Sequence, residues 1–155
     1  MGDIHYTKPK LDAIGKMQAL VLPEVKSGKI LFRSDDEVAT NIRSYTLAER
    51  DGEVVGFVAL HIHTPTLAEV RSLIVSEKMR GHGIGGELVK RCISEGKALG
   101  IERLFTLTYE QRFFEKLGFS EIPKESLPEH KIWADCVKCK HFPICDEVAL
   151  IYNLS

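Results

Sequence analysis

The run Glu69-Val70-Arg71-Ser72-Leu73-Ile74-Val75, then Ser76-Glu77-Lys78-Met79, then Arg80-Gly81-His82-Gly83-Ile84-Gly85-Gly86 is the pivot of this sequence. It reads as a buried strand, a charged connection and a glycine-rich turn that opens a helix. A helix N-terminus presents unpaired N–H groups and the positive end of a dipole, so such a turn is a ready anion site. Gly81 and Gly83 lack a Cβ and let an anion come close to the backbone. Arg80 adds a fixed positive charge suited to phosphate oxygens. The plain structural alternative is a glycine turn between strand and helix that holds no ligand.

Two phosphate-loop patterns do not account for the run. A nucleotide P-loop ends in Gly-Lys-Ser/Thr, and Gly85-Gly86-Glu87 does not supply it. The dinucleotide fingerprint G-x-G-x-x-G is met by Gly81, Gly83 and Gly86, but a charged connector separates strand from glycines. Its nearest acidic candidate, Glu102, precedes the next strand rather than ending it. The pattern Gln/Arg-x-x-Gly-x-Gly/Ala is matched at every fixed position by Arg80-Gly81-His82-Gly83-Ile84-Gly85. On that motif the sequence resembles the GNAT superfamily of N-acetyltransferases, whose coenzyme A loop carries it. Phe114-Glu115-Lys116-Leu117-Gly118-Phe119 adds to the resemblance, because the family commonly reads Tyr-Glu-x-x-Gly-Phe there.

The rest of the chain reads in a compatible order. Ile4 to Tyr6 predicts a first strand, and Leu11, Ile14, Met17 and Leu20–Val21 predict a helix that stops before Pro23. Lys29 to Ser34 predicts a short extended piece, and Ser34 or Asp35 can cap a second helix whose Val38 and Ile42 face inward. Tyr45 to Glu49 and Val54 to His63 predict strands joined at Asp51-Gly52, a strong hairpin signal. Leu67 to Val75 predicts the next strand. Ile84, Leu88, Cys92, Ile93 and Leu99 form one helical stripe that ends at Gly100.

Arg103 to Thr108 predicts a strand parallel to Leu67–Val75, since a crossover helix joins the two. A short helix burying Phe113, Phe114 and Leu117 follows, closed by Gly118 with Phe119 packing back. Val148 to Leu154 predicts a last strand. The fold class expected is α/β (α+β), a single domain over 1–155 with a mixed, mostly antiparallel sheet flanked by helices. A cysteine-containing segment spans 123–147.

Composition narrows the function. With 155 residues and a formal net charge of -1, the chain has no basic run or arm suited to nucleic acid. Met1 to Tyr6 shows no charged-then-apolar signal pattern, and no apolar run reaches membrane-spanning length. Met1-Gly2 begins like a myristoylation site, but Thr7 misses the required position. A cytoplasmic protein is expected, without nucleic-acid or membrane partners, and a homodimer is compatible with the sequence. The four cysteines are then reduced, metal-ligating or simply packed. Cys136-Val137-Lys138-Cys139 has a zinc-knuckle gap that Cys145 with His141 or His130 would complete. One such pair is a weak signal, and no metal site is assigned.

The resemblance implies acetyl-CoA as cosubstrate. Backbone groups of Leu73, Ile74 and Val75 would hold the pantetheine arm and polarise the thioester carbonyl, and residues from Arg80 through Gly86 would take the pyrophosphate. It also implies Glu69 as the general base, where several family members carry a glutamate; the alternative is an ion pair with a cation such as Arg71. Alternation places Glu69, Arg71 and Leu73 on one face. The usual family tyrosine that protonates the thiolate is Phe114 here, which leaves Tyr109 as the substitute acid or as a buried structural residue.

The shortened link from Phe105-Thr106-Leu107-Thr108 to Phe113-Phe114, with Ile30-Leu31-Phe32-Arg33-Ser34 and Ala68-Glu69-Val70-Arg71-Ser72-Leu73, is similar to the acetyltransferase domain of N-acetylglutamate synthases. That likeness implies a small-molecule amine substrate, L-glutamate, and a place in arginine synthesis. It gives Arg33 the substrate-binding role. A dicarboxylate calls for guanidinium groups, and Arg71 and Arg112 are further candidates. The longer synthases carry an amino-acid-kinase-like domain, which is not expected in this sequence. The alternatives are an acetyltransferase for another small amine or a protein N-terminus, and a non-catalytic acyl-CoA sensor.

Overall fold

The computed structural model describes residues 3–28, 30, 32–127 and 147–154. The strands are β1 (His5–Thr7), β2 (Tyr45–Arg50), β3 (Glu53–Ile62), β4 (Leu67–Val75), β5 (Arg103–Thr108), β6 (Ser120–Ile122) and β7 (Val148–Asn153). The helices are α1 (Ile14–Lys26), α2 (Asp35–Thr40), α3 (Ile84–Leu99) and α4 (Gln111–Lys116). One sheet runs in the order β1-β2-β3-β4-β5-β7-β6. Its β4–β5 pair is parallel and its other pairs are antiparallel. This is the mixed, mostly antiparallel α/β architecture expected.

Local chemistry explains the joints. Asp51 and Gly52 have φ of 52° and 78°, the left-handed pair that a two-residue hairpin needs between β2 and β3. Ser34 Oγ accepts the Glu37 N–H at 3.1 Å and caps α2. At the end of α4 the Phe119 N–H reaches the Phe114 carbonyl at 3.1 Å and the Gly118 N–H reaches Glu115 at 3.0 Å. With the Phe114 and Phe119 rings 5.2 Å apart, this is a Schellman cap with its apolar contact.

One face of the sheet packs Val58, Leu60, Ala68, Val70, Leu104 and Leu150 against Leu88, Val89 and Cys92 of α3. On the other face, Phe57, Ala59 and Ile74 pack under α1 and α2 with Met17, Val21 and Val38. A separate cluster of Leu67, Phe105, Leu127 and Ala149 lies towards β6 and β7.

Several boundaries differ from expectation. α1 runs through Pro23 to Lys26, past a residue with no N–H to offer the Ala19 carbonyl four residues back, and the Ser27 N–H still closes on the Pro23 carbonyl at 3.1 Å. Among the described residues 30 and 32–34 there is no strand; Lys29 and Leu31 lie outside the described residues. Leu99 is 56% exposed, while Val89 and Gly96 fill the buried stripe of α3. Phe113 and Leu117 are half-buried, with Phe114 alone of α4 fully covered. β1 sits one residue later than predicted, and β6 was not anticipated.

The most consequential difference is in β4. Phe57 pairs with Ile74 and Ala59 with Arg71, so β4 holds one extra residue there. Ser72 takes it up at a φ of 58°, a β-bulge that reverses the side-chain alternation. Leu73 therefore packs with the α3-side core, opposite Glu69 and Arg71 rather than beside them. Gly56 accommodates the bulge, since a Cβ there would lie 2.9 Å from the Ile74 carbonyl oxygen.

Candidate active site

β4 and β5 share only the rungs Leu67–Arg103, Ala68–Leu104 and Glu69–Phe105. Beyond them β4 continues to Val75 and β5 to Thr108 without another rung, so a slot opens towards their C-terminal ends. Openings of this kind at strand C-termini are where α/β sheets bind ligands. Glu69 stands at the vertex. The connection after β4 leads to the α3 N-terminus at the same end of the sheet.

That N-terminus has the features of an anion cradle. Gly81 and Gly83 have φ of 84° and 80°, which L side chains adopt only with strain, and a Cβ on either would meet nothing within 4 Å. Gly83 is the N-cap and no side chain caps it. The Glu87 N–H bonds the Gly83 carbonyl, leaving the N–H groups of Ile84, Gly85 and Gly86 without an intrahelical acceptor. Gly85 lies under the Phe113 ring, 3.3 Å from where its Cβ would be. His82 is exposed. Arg80 donates Nε to the Val75 carbonyl at 3.3 Å and pairs Nη2 with Glu24 of α1 at 3.1 Å. Its guanidinium thus ties the turn to β4 and α1.

At the vertex, a polar island separates the two apolar clusters of that face. Glu69 is 3% exposed; its Oε1 meets His63 Nε2 at 3.1 Å and Arg71 Nη1 at 3.7 Å. Arg33, just ahead of α2, pairs with Glu37 at 2.7 Å, and its backbone carbonyl accepts from Gln18 at 2.7 Å. The Arg33 and Arg71 side chains are both 12% exposed. Desolvation pulls Arg71 below the usual guanidinium range, and the neighbouring Arg33 adds to it. Burial raises the Tyr45 phenol, against the pull of Arg33 and Arg71. His61 is lowered to about 4 by burial first, then by Arg71 and His63. Two guanidiniums, a buried carboxylate and a largely neutral imidazole thus converge beside the slot.

The sequence reading brought Glu69, Arg71 and Arg33 to this place and missed His61, His63, Tyr45 and Glu37. A signal for the histidines existed: His61 and His63 are two apart, and His61 pairs with Glu69 across the hairpin. Tyr109 is 41% exposed, not buried. It follows β5 and lines, with Glu110, Gln111, Arg112 and Glu115, a groove of about 510 Å³. Among the described residues no group of three or more His, Cys, Asp or Glu is arranged to hold a metal, and no helix is long and apolar enough to cross a membrane. Cys136, Cys139, Cys145, His130 and His141 lie outside the described residues.

A family model described as the acetyltransferase (GNAT) family matches residues 17–119. The chain is 39% identical over 127 residues to an uncharacterised N-acetyltransferase of Chlorobaculum tepidum, covering 82% of this chain and 81% of that protein. It is 36% identical over 105 residues to an amino-acid acetyltransferase of Mycobacterium tuberculosis, covering 65% and 60%. N-acetylglutamate synthase of Neisseria gonorrhoeae, solved with coenzyme A and N-acetyl-glutamate, superposes with a TM-score of 0.89 at 24% identity. That match takes in 100% of this chain and 36% of the synthase, so the chain spans about a third of the synthase. The chain belongs to the GNAT family of acetyltransferases. It is accordingly an acyltransferase, and its relatives include proteins named amino-acid acetyltransferases.

Proposed function

We propose that this protein transfers the acetyl group of acetyl-CoA to the α-amine of L-glutamate, yielding N-acetylglutamate for arginine synthesis. The observation that carries the reading is the pair of mostly buried guanidiniums, Arg33 and Arg71, set beside Glu69 where β4 and β5 part. Guanidiniums bind carboxylates in bidentate fashion, so a dicarboxylate suits this place, whereas a cationic amine would add to its positive charge. The name of the mycobacterial relative supports an amino-acid acceptor, and the N-acetyl-glutamate in the gonococcal synthase supports glutamate among them.

The chain's own groups then divide the work. The N–H groups from Gly81 to Gly86, with Arg80 steadying the turn, hold the pyrophosphate of acetyl-CoA at the α3 dipole. The β4 edge at Leu73, Ile74 and Val75 that no rung joins to β5 accepts the pantetheine arm as an added strand, and an N–H there stabilises the oxyanion that forms at the thioester carbonyl. Glu69 takes a proton from the substrate's α-ammonium, directly or through water, so that the free amine can attack the thioester carbon. Tyr109, on the β5 side of the slot, donates to the departing thiolate.

A panel of amino acids and amines, scored for free thiol and product mass, tests the reading. Glutamate-dependent release of CoA with formation of N-acetylglutamate is expected. Release with cationic amines alone would replace glutamate by another acceptor. Tight CoA binding with no turnover on any amine would make the protein an acyl-CoA sensor.

A further inference from the structure

We propose that His63 is a positioning residue for acetyl transfer, fixing the Glu69 carboxylate through the bond between its Nε2 and Oε1. The proposal rests on the reading of Glu69 as the base. His63 and Glu69 are nearly sealed from solvent, their side chains 7% and 4% exposed, and stand 3.1 Å apart. The last torsion of a glutamate is broad, and a hydrogen bond at Oε1 narrows it. Arg71 at 3.7 Å supplies charge at longer range, and His63 supplies direction.

His63 is itself held by its backbone and by its ring. The His63 backbone N–H donates to the Leu67 carbonyl at 3.0 Å. The following turn is pinned by Thr64 Oγ1, which accepts the N–H groups of Thr66 and Leu67 at 3.2 and 3.0 Å. The Phe105 ring lies 5.4 Å from the imidazole centroid, and the His61 ring meets it edge-on at 4.7 Å. Phe105 pairs with Glu69 in the last β4–β5 rung, so the strands that open the slot also clamp the histidine. A residue merely filling space here would not need a ring nitrogen aimed at a buried carboxylate. Positioning of this kind is worth a sizeable part of a base's contribution, because proton transfer falls off steeply with misalignment.

Among the described residues, the charged and titratable groups around the pair include Arg71 on β4, His61 on β3, Tyr45 on β2, and Arg33 with Glu37 at α2. β5 contributes the uncharged Phe105. Replacing the imidazole by leucine removes a hydrogen-bond partner of the Glu69 carboxylate while the neighbouring charges stay. The acid limb of kcat/KM for the amine should then move to higher pH.

The experiment compares His63→Leu, His63→Gln, Glu69→Gln and the double variant His63→Leu/Glu69→Gln, using acetyl-CoA and L-glutamate. Calorimetric acetyl-CoA affinity serves as the folding control. His63→Leu should lower kcat/KM for glutamate on the order of tenfold, part of the 10²–10⁴ a general base supplies. Its acid limb should move upward, with KM for acetyl-CoA unchanged. His63→Gln, whose amide can still donate to Oε1, should recover most of the rate. In the Glu69→Gln background the leucine change should cost nothing more, since the group it orients is gone. Additive losses, an unmoved acid limb, or a glutamine variant as slow as the leucine one would overturn the proposal while leaving the base in place. Native turnover in Glu69→Gln would remove the base reading and the proposal with it.

Discussion

Arg33 is the residue at which substrate selection is most sharply posed. Its guanidinium is 12% exposed, is bonded to Glu37 at 2.7 Å and is close enough to Arg71 to lower that residue's proton affinity. Two cations brought together under cover repel one another, and an incoming dicarboxylate relieves the repulsion. Arg33→Ala should thus raise the KM for glutamate by tenfold or more, the worth of about one charged hydrogen bond at 1.5–3 kcal/mol. KM for acetyl-CoA should stay put; steady-state kinetics that show native glutamate turnover would remove Arg33 from the acceptor site. His61 reports on the same cluster through pH. Burial, Arg71 and His63 hold it at about 4, whereas an unfolded chain titrates its imidazole near 6.5. The unfolded state therefore binds more protons between those values. His61's contribution is fully present above about pH 6.5 and is lost as pH falls towards 4. Melting temperatures of His61→Phe should decline less steeply than those of the native protein over that window, and equal slopes would assign the acid instability to other groups.

At the scale of elements, the parts carrying strong local chemistry could be read from the sequence and those set by neighbours could not. The bounds Leu67–Val75 and Arg103–Thr108 were legible because β-branched and apolar runs end there at turn or cap residues, and Asp51-Gly52 specified its hairpin by backbone preference alone. Glu69 and Arg71 were correctly placed together by simple alternation. Leu73 was not, because the bulge at Ser72 is a property of the β3–β4 pair and of the space Gly56 leaves, and a serine gives no warning of a left-handed φ. β6 is three residues long and exists only because β7 pairs with it. His61 and His63 needed the cross-strand register before they could be seen to meet Glu69. The glycine turn belongs among the legible parts, and it can be broken selectively. Gly83→Glu should abolish acetyl-CoA binding, because a carboxylate at an uncapped helix N-terminus would occupy and repel the pyrophosphate. Forcing a side chain to a φ of 80° should also cost about 1–2 kcal/mol of stability. Calorimetric titration of the folded variant checks the first and thermal unfolding the second, and unchanged affinity would sink the cradle.

Across the whole molecule, the sheet is two parts joined by three parallel rungs, and what binds them is the core on the α3 side. That cluster takes Val58, Leu60, Ala68 and Val70 from one part and Leu104, Phe114, Phe119 and Leu150 from the other. The opposite face carries a separate apolar cluster to either side of the polar island. The slot can therefore open between strands without parting the halves, because α3 spans beneath it and supplies the anion cradle at its own N-terminus. Two consequences can be measured together by scanning calorimetry. Leu150→Ala removes a side chain with 0% exposure from the shared cluster, far along the sheet from the glycine turn, and should cost about 2–5 kcal/mol. Acetyl-CoA at about a hundredfold excess over its dissociation constant should add about 2.7 kcal/mol to either protein by mass action, a rise of roughly 5–10 °C for a domain of this size. One cooperative transition is expected throughout, lowered by the substitution and raised by the ligand by the same increment in both proteins. Two resolved transitions, with acetyl-CoA moving only one, would mean that the halves melt independently and that the ligand does not bridge them; the slot between β4 and β5 would then be the wrong place for it.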